Sequence, residues 1–147
     1  MKDVLIKIKG SQITAGGRED VDLTTVGKLW RRNGVWALSY DEIEAPGMEC
    51  AKTTVSFDGE TVVLKRSGGS GSTRMTIQRD KRHMCLYDTG FGDMTVGTFG
   101  QSVESSLNEH GGECFMRYTV DINSGYESVN ELYFSVKEAA SRVSINH

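Results

Sequence analysis

The side chains able to do chemistry are few and widely spaced. His83, His110 and His147 with Cys50, Cys85 and Cys114 are the candidate metal ligands and nucleophiles. His83-x-Cys85 puts two ligands on one strand face, but no second pair completes the tetrahedral set that structural zinc requires, so no metal is expected. Cys85 as a nucleophile needs a positioned base, and sharing a face with His83 does not supply one; an inert thiol is the reading. Asp41, Glu42, Glu44 and Glu49 suggest paired carboxylates for acid and base work. A symmetric turn at Pro46-Gly47 sets Glu44 against Glu49 and Asp41 against Lys52, one repelling and one attracting pair, which solvated rim charges explain. The run SGGSGST from Ser67 to Thr73 has the glycines of a phosphate cradle. Such a cradle needs a helix N-terminus after it, and Arg74-Met75-Thr76-Ile77 continues as a strand, so a mobile hairpin loop is expected.

One polar constellation survives strand parity. If Trp36, Leu38 and Tyr40 point inward, Glu42 does too; Val62 and Leu64 carry Arg66 with them, and Met116 carries Tyr118. A guanidinium inside an apolar lining needs Glu42, a ligand carboxylate or water, unless both side chains snorkel out at the strand ends. The residues read as orienting a ligand are Tyr40, Glu42, Thr53, Arg66, Thr98, Tyr118 and Asn130.

Strands must position these groups. The chain has 147 residues, the length of one domain, with 17 glycines, one proline and 37% hydrophobic residues, a balance that suits strands and turns. Val4, Ile6 and Ile8 alternate with polar positions, and Val21, Leu23 and Thr25 share a parity in the next run, where Gly27 marks a bulge or bend. Asn33-Gly34 and Asp58-Gly59 are hairpin signals, because both accept positive φ. Alternation continues through Trp36–Glu42, Ala51–Phe57, Val62–Arg66, Met75–Ile77, His83–Asp88, Met94–Thr98 with a bulge beyond Gly100, Cys114–Ile122 and Asn130–Val136. Gly16-Gly17, Asp80-Lys81, Gly90 with Gly92, and Asn123-Ser124-Gly125 supply further turns. VKEAASR from Val136 has helical composition but is too short to hold, so a strand end or frayed turn is expected. About ten strands joined by successive hairpins lose their edges most simply by closing, which gives an all-β, antiparallel up-and-down barrel.

Ser39-Tyr40 with Glu42, Gly47, Lys52-Thr53, Gly59-Glu60 with Val62, Arg66-Ser67-Gly68, Met75, Tyr87, Gly92 with Met94, Glu109 with Gly111-Gly112, Tyr118 and Asn130 stand in an order and spacing that resembles the YwiB-like family. The resemblance runs over nearly the whole chain. It implies a calycin-like, lipocalin-type barrel in a bacterial cytoplasm, and no reaction.

The net charge of −3, from 17 basic and 20 acidic side chains, disfavours a nucleic-acid partner. No apolar run has the ~18 residues of a membrane span, and the N-terminus lacks a signal-peptide core, so a cytoplasmic protein with reduced cysteines is expected. The functional expectation is a binding module without cofactor. Its interior, lined by Trp36, Leu38, Tyr40, Phe57, Leu64, Met75, Met116, Tyr118 and Phe134, would hold a small anionic or amphipathic ligand. Two alternatives stand beside it: a packed barrel acting as a homodimer or interaction protein through Phe115 or Tyr133, and a hydrolase or isomerase using Glu42 and Arg66.

Overall fold

The computed structural model describes residues 1–43, 50–68, 71–88 and 93–139. These form ten strands: β1 (Lys2–Thr14), β2 (Gly17–Arg32), β3 (Val35–Ile43), β4 (Cys50–Asp58), β5 (Thr61–Gly68), β6 (Gly71–Gln78), β7 (Arg82–Asp88), β8 (Asp93–Ser105), β9 (Gly111–Ile122) and β10 (Tyr126–Glu138). There is no helix among the described residues, and so none long and apolar enough to cross a membrane. All ladders are antiparallel, and the order β6-β5-β4-β3-β2-β1-β10-β9-β8-β7 rolls into a nearly closed barrel. The first and last strands are neighbours inside this sheet, with Val4 opposite Glu138 and Ile13 opposite Val129.

Turn chemistry explains the hairpins. Asn33 and Gly34 take φ of 52° and 81°, the paired positive angles of a type I′ connection. After Asp58 the two turn residues are Gly59 and Glu60, with Gly59 supplying φ of 60°. Asp41 lies opposite Lys52, as a symmetric turn requires, although the turn itself at Pro46-Gly47 lies outside the described residues, as do Glu44, Glu49, Gly90 and Gly92. The flanks of the Ser67–Thr73 run extend the β5–β6 hairpin, with Arg66 paired to Thr73, Ser67 to Ser72 and Gly68 to Gly71, while Gly69 and Ser70 lie outside the described residues. Ladder hydrogen bonds need only backbone, so small side chains do not prevent pairing. Gly27 is not a bulge, since β2 keeps register there; a Cβ at this position would stand 2.2 Å from the Ser39 carbonyl oxygen, so glycine permits close approach. The bulge past Gly100 is real and lies between Gly100 and Ser102.

Strand alternation puts Val4, Ile6 and Ile8 of β1, Leu29 of β2, Leu38 of β3, Val55 and Phe57 of β4, Val62 of β5 and Ile77 of β6 into one core with Cys114 and Met116 of β9 and Phe134 and Val136 of β10. Phe57 and Phe134 meet edge to face, centroids 6.1 Å apart, across the barrel. Burying each of these large side chains contributes about 1.5–3 kcal/mol.

Among the described residues the ring lacks a full ladder between β6 and β7. A tight connection at Arg79-Asp80 joins them, closed by a Gln78–Lys81 bridge, and the end of β6 then reaches inner-face groups of β7 and β8. Thr98 Oγ1 donates to the Thr76 carbonyl (2.5 Å), the Asp80 amide donates to the Gly100 carbonyl (2.8 Å), and His83 Nε2 lies 2.9 Å from Gln78 Oε1. These contacts form the seam.

A candidate ligand pocket at the barrel mouth

The apolar run on each inner face stops before its strand does. On β1 the inner positions after Ile8 are Gly10 and Gln12; on β2, Glu19, Val21 and Leu23 precede the core, and Val21 and Leu23 remain 60% and 37% exposed. The strands overhang the core, and a pocket of about 480 Å³ lies at this end. Its apolar walls include Ile8, Leu23, Leu64, Met75 and Leu132.

Ladder register brings the polar groups into two rows. In one, Tyr40 of β3 lies opposite Thr53 of β4, Thr53 opposite Arg66 of β5, and Arg66 opposite Thr73 of β6. In the other, Glu19 of β2 lies opposite Gln12 of β1, Gln12 opposite Asn130 of β10, and Asn130 opposite Tyr118 of β9. All eight residues line the pocket. Cross-strand neighbours sit within about 5.5 Å at their Cα atoms, so each row is a continuous band of donors and acceptors.

The Thr53 hydroxyl is buried and has no hydrogen-bond partner among the described residues. Tyr118 is buried, which pushes its phenol up to about 12 and keeps it a neutral donor. Asn130 Nδ2 donates to Ser128 Oγ (3.0 Å). Lys65 and Arg66 bring positive charge to one side, Glu19 and Glu131 negative charge to another. Glu131 is already engaged by Arg117 Nη1 (2.7 Å) and by the Ser11 hydroxyl (3.3 Å). Arg66 is an exposed rim residue, so it does not form the fully interior charge that strand parity allowed; β5 has left the core by that position.

Five of the seven residues expected from sequence therefore come together: Tyr40, Thr53, Arg66, Tyr118 and Asn130. Thr98 does not join them, because it is fully buried at the seam with its hydroxyl given to Thr76. Glu42 holds its place in β3 opposite Ala51, and its side chain lies outside the described residues. The expected lining also shrinks. Leu38, Phe57, Met116 and Phe134 fill the interior below the mouth as packed core. Gln12, Glu19 and Thr73 were missed, although continuing the Ile8, Leu23 and Met75 parities outward would have found them.

Among the described residues no nucleophile is paired with a base at the pocket. Cys114 is buried and its thiol is pushed up to about 12 by desolvation, and His83 is turned to Gln78. Among the described residues no three His, Cys, Asp or Glu side chains gather as a metal set. The arrangement can hold a molecule with one polar end and one apolar end.

Comparison with known proteins agrees on fold and is silent on activity. The chain matches a crystal structure of the YwiB protein from Bacillus subtilis with a TM-score of 0.72 at 19% identity, over 91% of each chain. No curated protein matches it. The description "Domain of unknown function (DUF1934)" matches residues 6–133, and the chain belongs to that family.

Proposed function

We propose that this protein is a calycin-like binding barrel of the cytoplasm, which holds one small amphipathic molecule, anionic at its polar end, in the barrel mouth and catalyses no reaction on it. The observation that carries the reading is the pair of cross-strand polar rows facing an apolar-walled pocket, with the Thr53 hydroxyl among them lacking a partner among the described residues. A buried hydroxyl left unpaired costs about 1–3 kcal/mol, and a ligand oxygen or amide that reaches it after small side-chain shifts recovers part of that. The pocket volume falls in the range that takes a single small molecule. With Glu131 held by Arg117, Lys65 and Arg66 outnumber Glu19 at the mouth, which favours a carboxylate or phosphate over a cation.

Calorimetry and thermal shift with decanoate, decyl phosphate and decanol test this. The two anionic amphiphiles should bind and raise the melting temperature, and Arg66→Gln should weaken them by about tenfold while leaving decanol unchanged. If none of the three binds, and protein isolated from its own host carries no bound molecule by native mass spectrometry, the proposal fails.

A further inference from the structure

Strand β7 is one end of the sheet, and among the described residues it pairs along its length with β8 alone. On its inner face His83 already meets Gln78. On its outer face Met84 and Leu86 are 51% and 68% exposed, and Phe99 of β8, opposite Arg82, adds a third apolar side chain at 36%. Soluble proteins ordinarily protect such an edge with charged side chains, proline or a bulge; β7 carries charge only at its ends, and the run from His83 to Tyr87 has no acidic residue, lysine, arginine, proline or register shift.

The strand is complementary to itself. When RHMCLYD is laid antiparallel against a second copy about Cys85, Arg82 falls opposite Asp88 and Met84 opposite Leu86 on one face, while His83 falls opposite Tyr87 and Cys85 opposite Cys85 on the other. Opposite charges meet, and apolar side chains meet. This is the one antiparallel register that uses the whole strand. Within its own barrel Arg82 Nη2 already reaches Asp121 Oδ1 (2.6 Å), so the charge pair between copies sets register more than affinity.

We infer that two copies of this chain associate through β7 about a two-fold axis, joining their barrels into one continuous sheet. The contact is isologous: each Met84 meets the other copy's Leu86, and both copies contribute the same strand. Backbone pairing supplies affinity, while the charge and apolar pattern fixes the register.

Light scattering on the purified protein should give a dimer. Met84→Lys or Leu86→Glu alone should raise the dissociation constant by about tenfold or more, because each sets a charge against an apolar side chain. Together they set lysine against glutamate at both symmetry-related places and should return the constant to within about threefold of the parent. Both positions are exposed, and circular dichroism checks that the variants keep the barrel. Directly opposed residues have Cα atoms about 4.5–5.5 Å apart, within disulfide range, so mild oxidation should link Cys85 to Cys85. Cys85→Ser should abolish the covalent dimer and Cys114→Ser should not. A monomer at every concentration, a dimer indifferent to both single substitutions, or a cross-link mapped elsewhere would each overturn the inference.

Discussion

Thr53 sits on a strand where a β-branched side chain is favourable, with a hydroxyl that finds no partner among the described residues. Valine has nearly the same shape without that hydroxyl. Thr53→Val should therefore raise the unfolding free energy of the protein by about 1 kcal/mol in urea denaturation, an unusual sign for a polar-to-apolar change in a pocket wall. A loss of similar size would mean that the hydroxyl is satisfied after all. Cys114 gives a second prediction. Burial raises its thiol from 9.0 to about 12, and Tyr118 rises from 10.0 to about 12 for the same reason. For an acid whose pKa is raised by folding, the unfolded chain ionises first, so stability is intact below pH 9 and falls as the pH climbs toward 12. The slope approaches about 1.4 kcal/mol per pH unit for each group while only the unfolded state is ionised. Cys114→Val should move the onset of alkaline destabilisation up by about one pH unit, to where Tyr118 begins to contribute. An unchanged onset in denaturation curves from pH 8 to 11 would assign the loss to other groups.

The strands themselves were largely legible from alternation and turn residues, and the pairing of Asp41 with Lys52 followed from a symmetric turn. The pocket was half legible: Tyr40, Arg66 and Tyr118 lie on parities that start from buried apolar residues and simply continue outward. The seam was not legible, because it depends on where β6 ends in space rather than on any local pattern. Thr98 looked like a pocket group for that reason; parity gave its face correctly but not its height, and at that height it bonds Thr76. Gly27 and Gly100 look alike in sequence, yet one admits the Ser39 carbonyl and the other the end of β6. A Cβ on Gly100 would lie 2.5 Å from the Gln78 carbonyl oxygen and 3.0 Å from the Arg79 amide nitrogen, both backbone atoms. Gly100→Ala should thus cost about 2–3 kcal/mol by forcing the seam apart. Gly10→Ala, which meets the flexible Leu132 side chain at 3.1 Å, should cost clearly less in the same denaturation assay.

At the scale of the molecule, ten strands share one interior, and Phe134 of β10 ties its two sides together through Phe57 of β4. Phe134→Ala should cost about 3–5 kcal/mol. It should lower the midpoint of one transition rather than split the curve, with Trp30 and Trp36 fluorescence on β2 and β3 tracking the exposure of Cys114 on β9. Separate midpoints would mean that the two sides unfold independently. The meeting of β1 and β10 adds a directional property. Val4 stands opposite Glu138, and the Ala139 amide donates to the Asp3 carbonyl (3.1 Å), so the start of one strand and the end of the other lie side by side at one end of a long antiparallel ladder. A tensile load drawn between those two points acts on the outermost hydrogen bond first, then on the next, and never on the whole ladder at once. Stretched between Asp3 and Ala139, the barrel should peel open at low force along the seamless side of its wall, while its resistance to heat and urea is set elsewhere, by the packed core around Phe57 and Phe134.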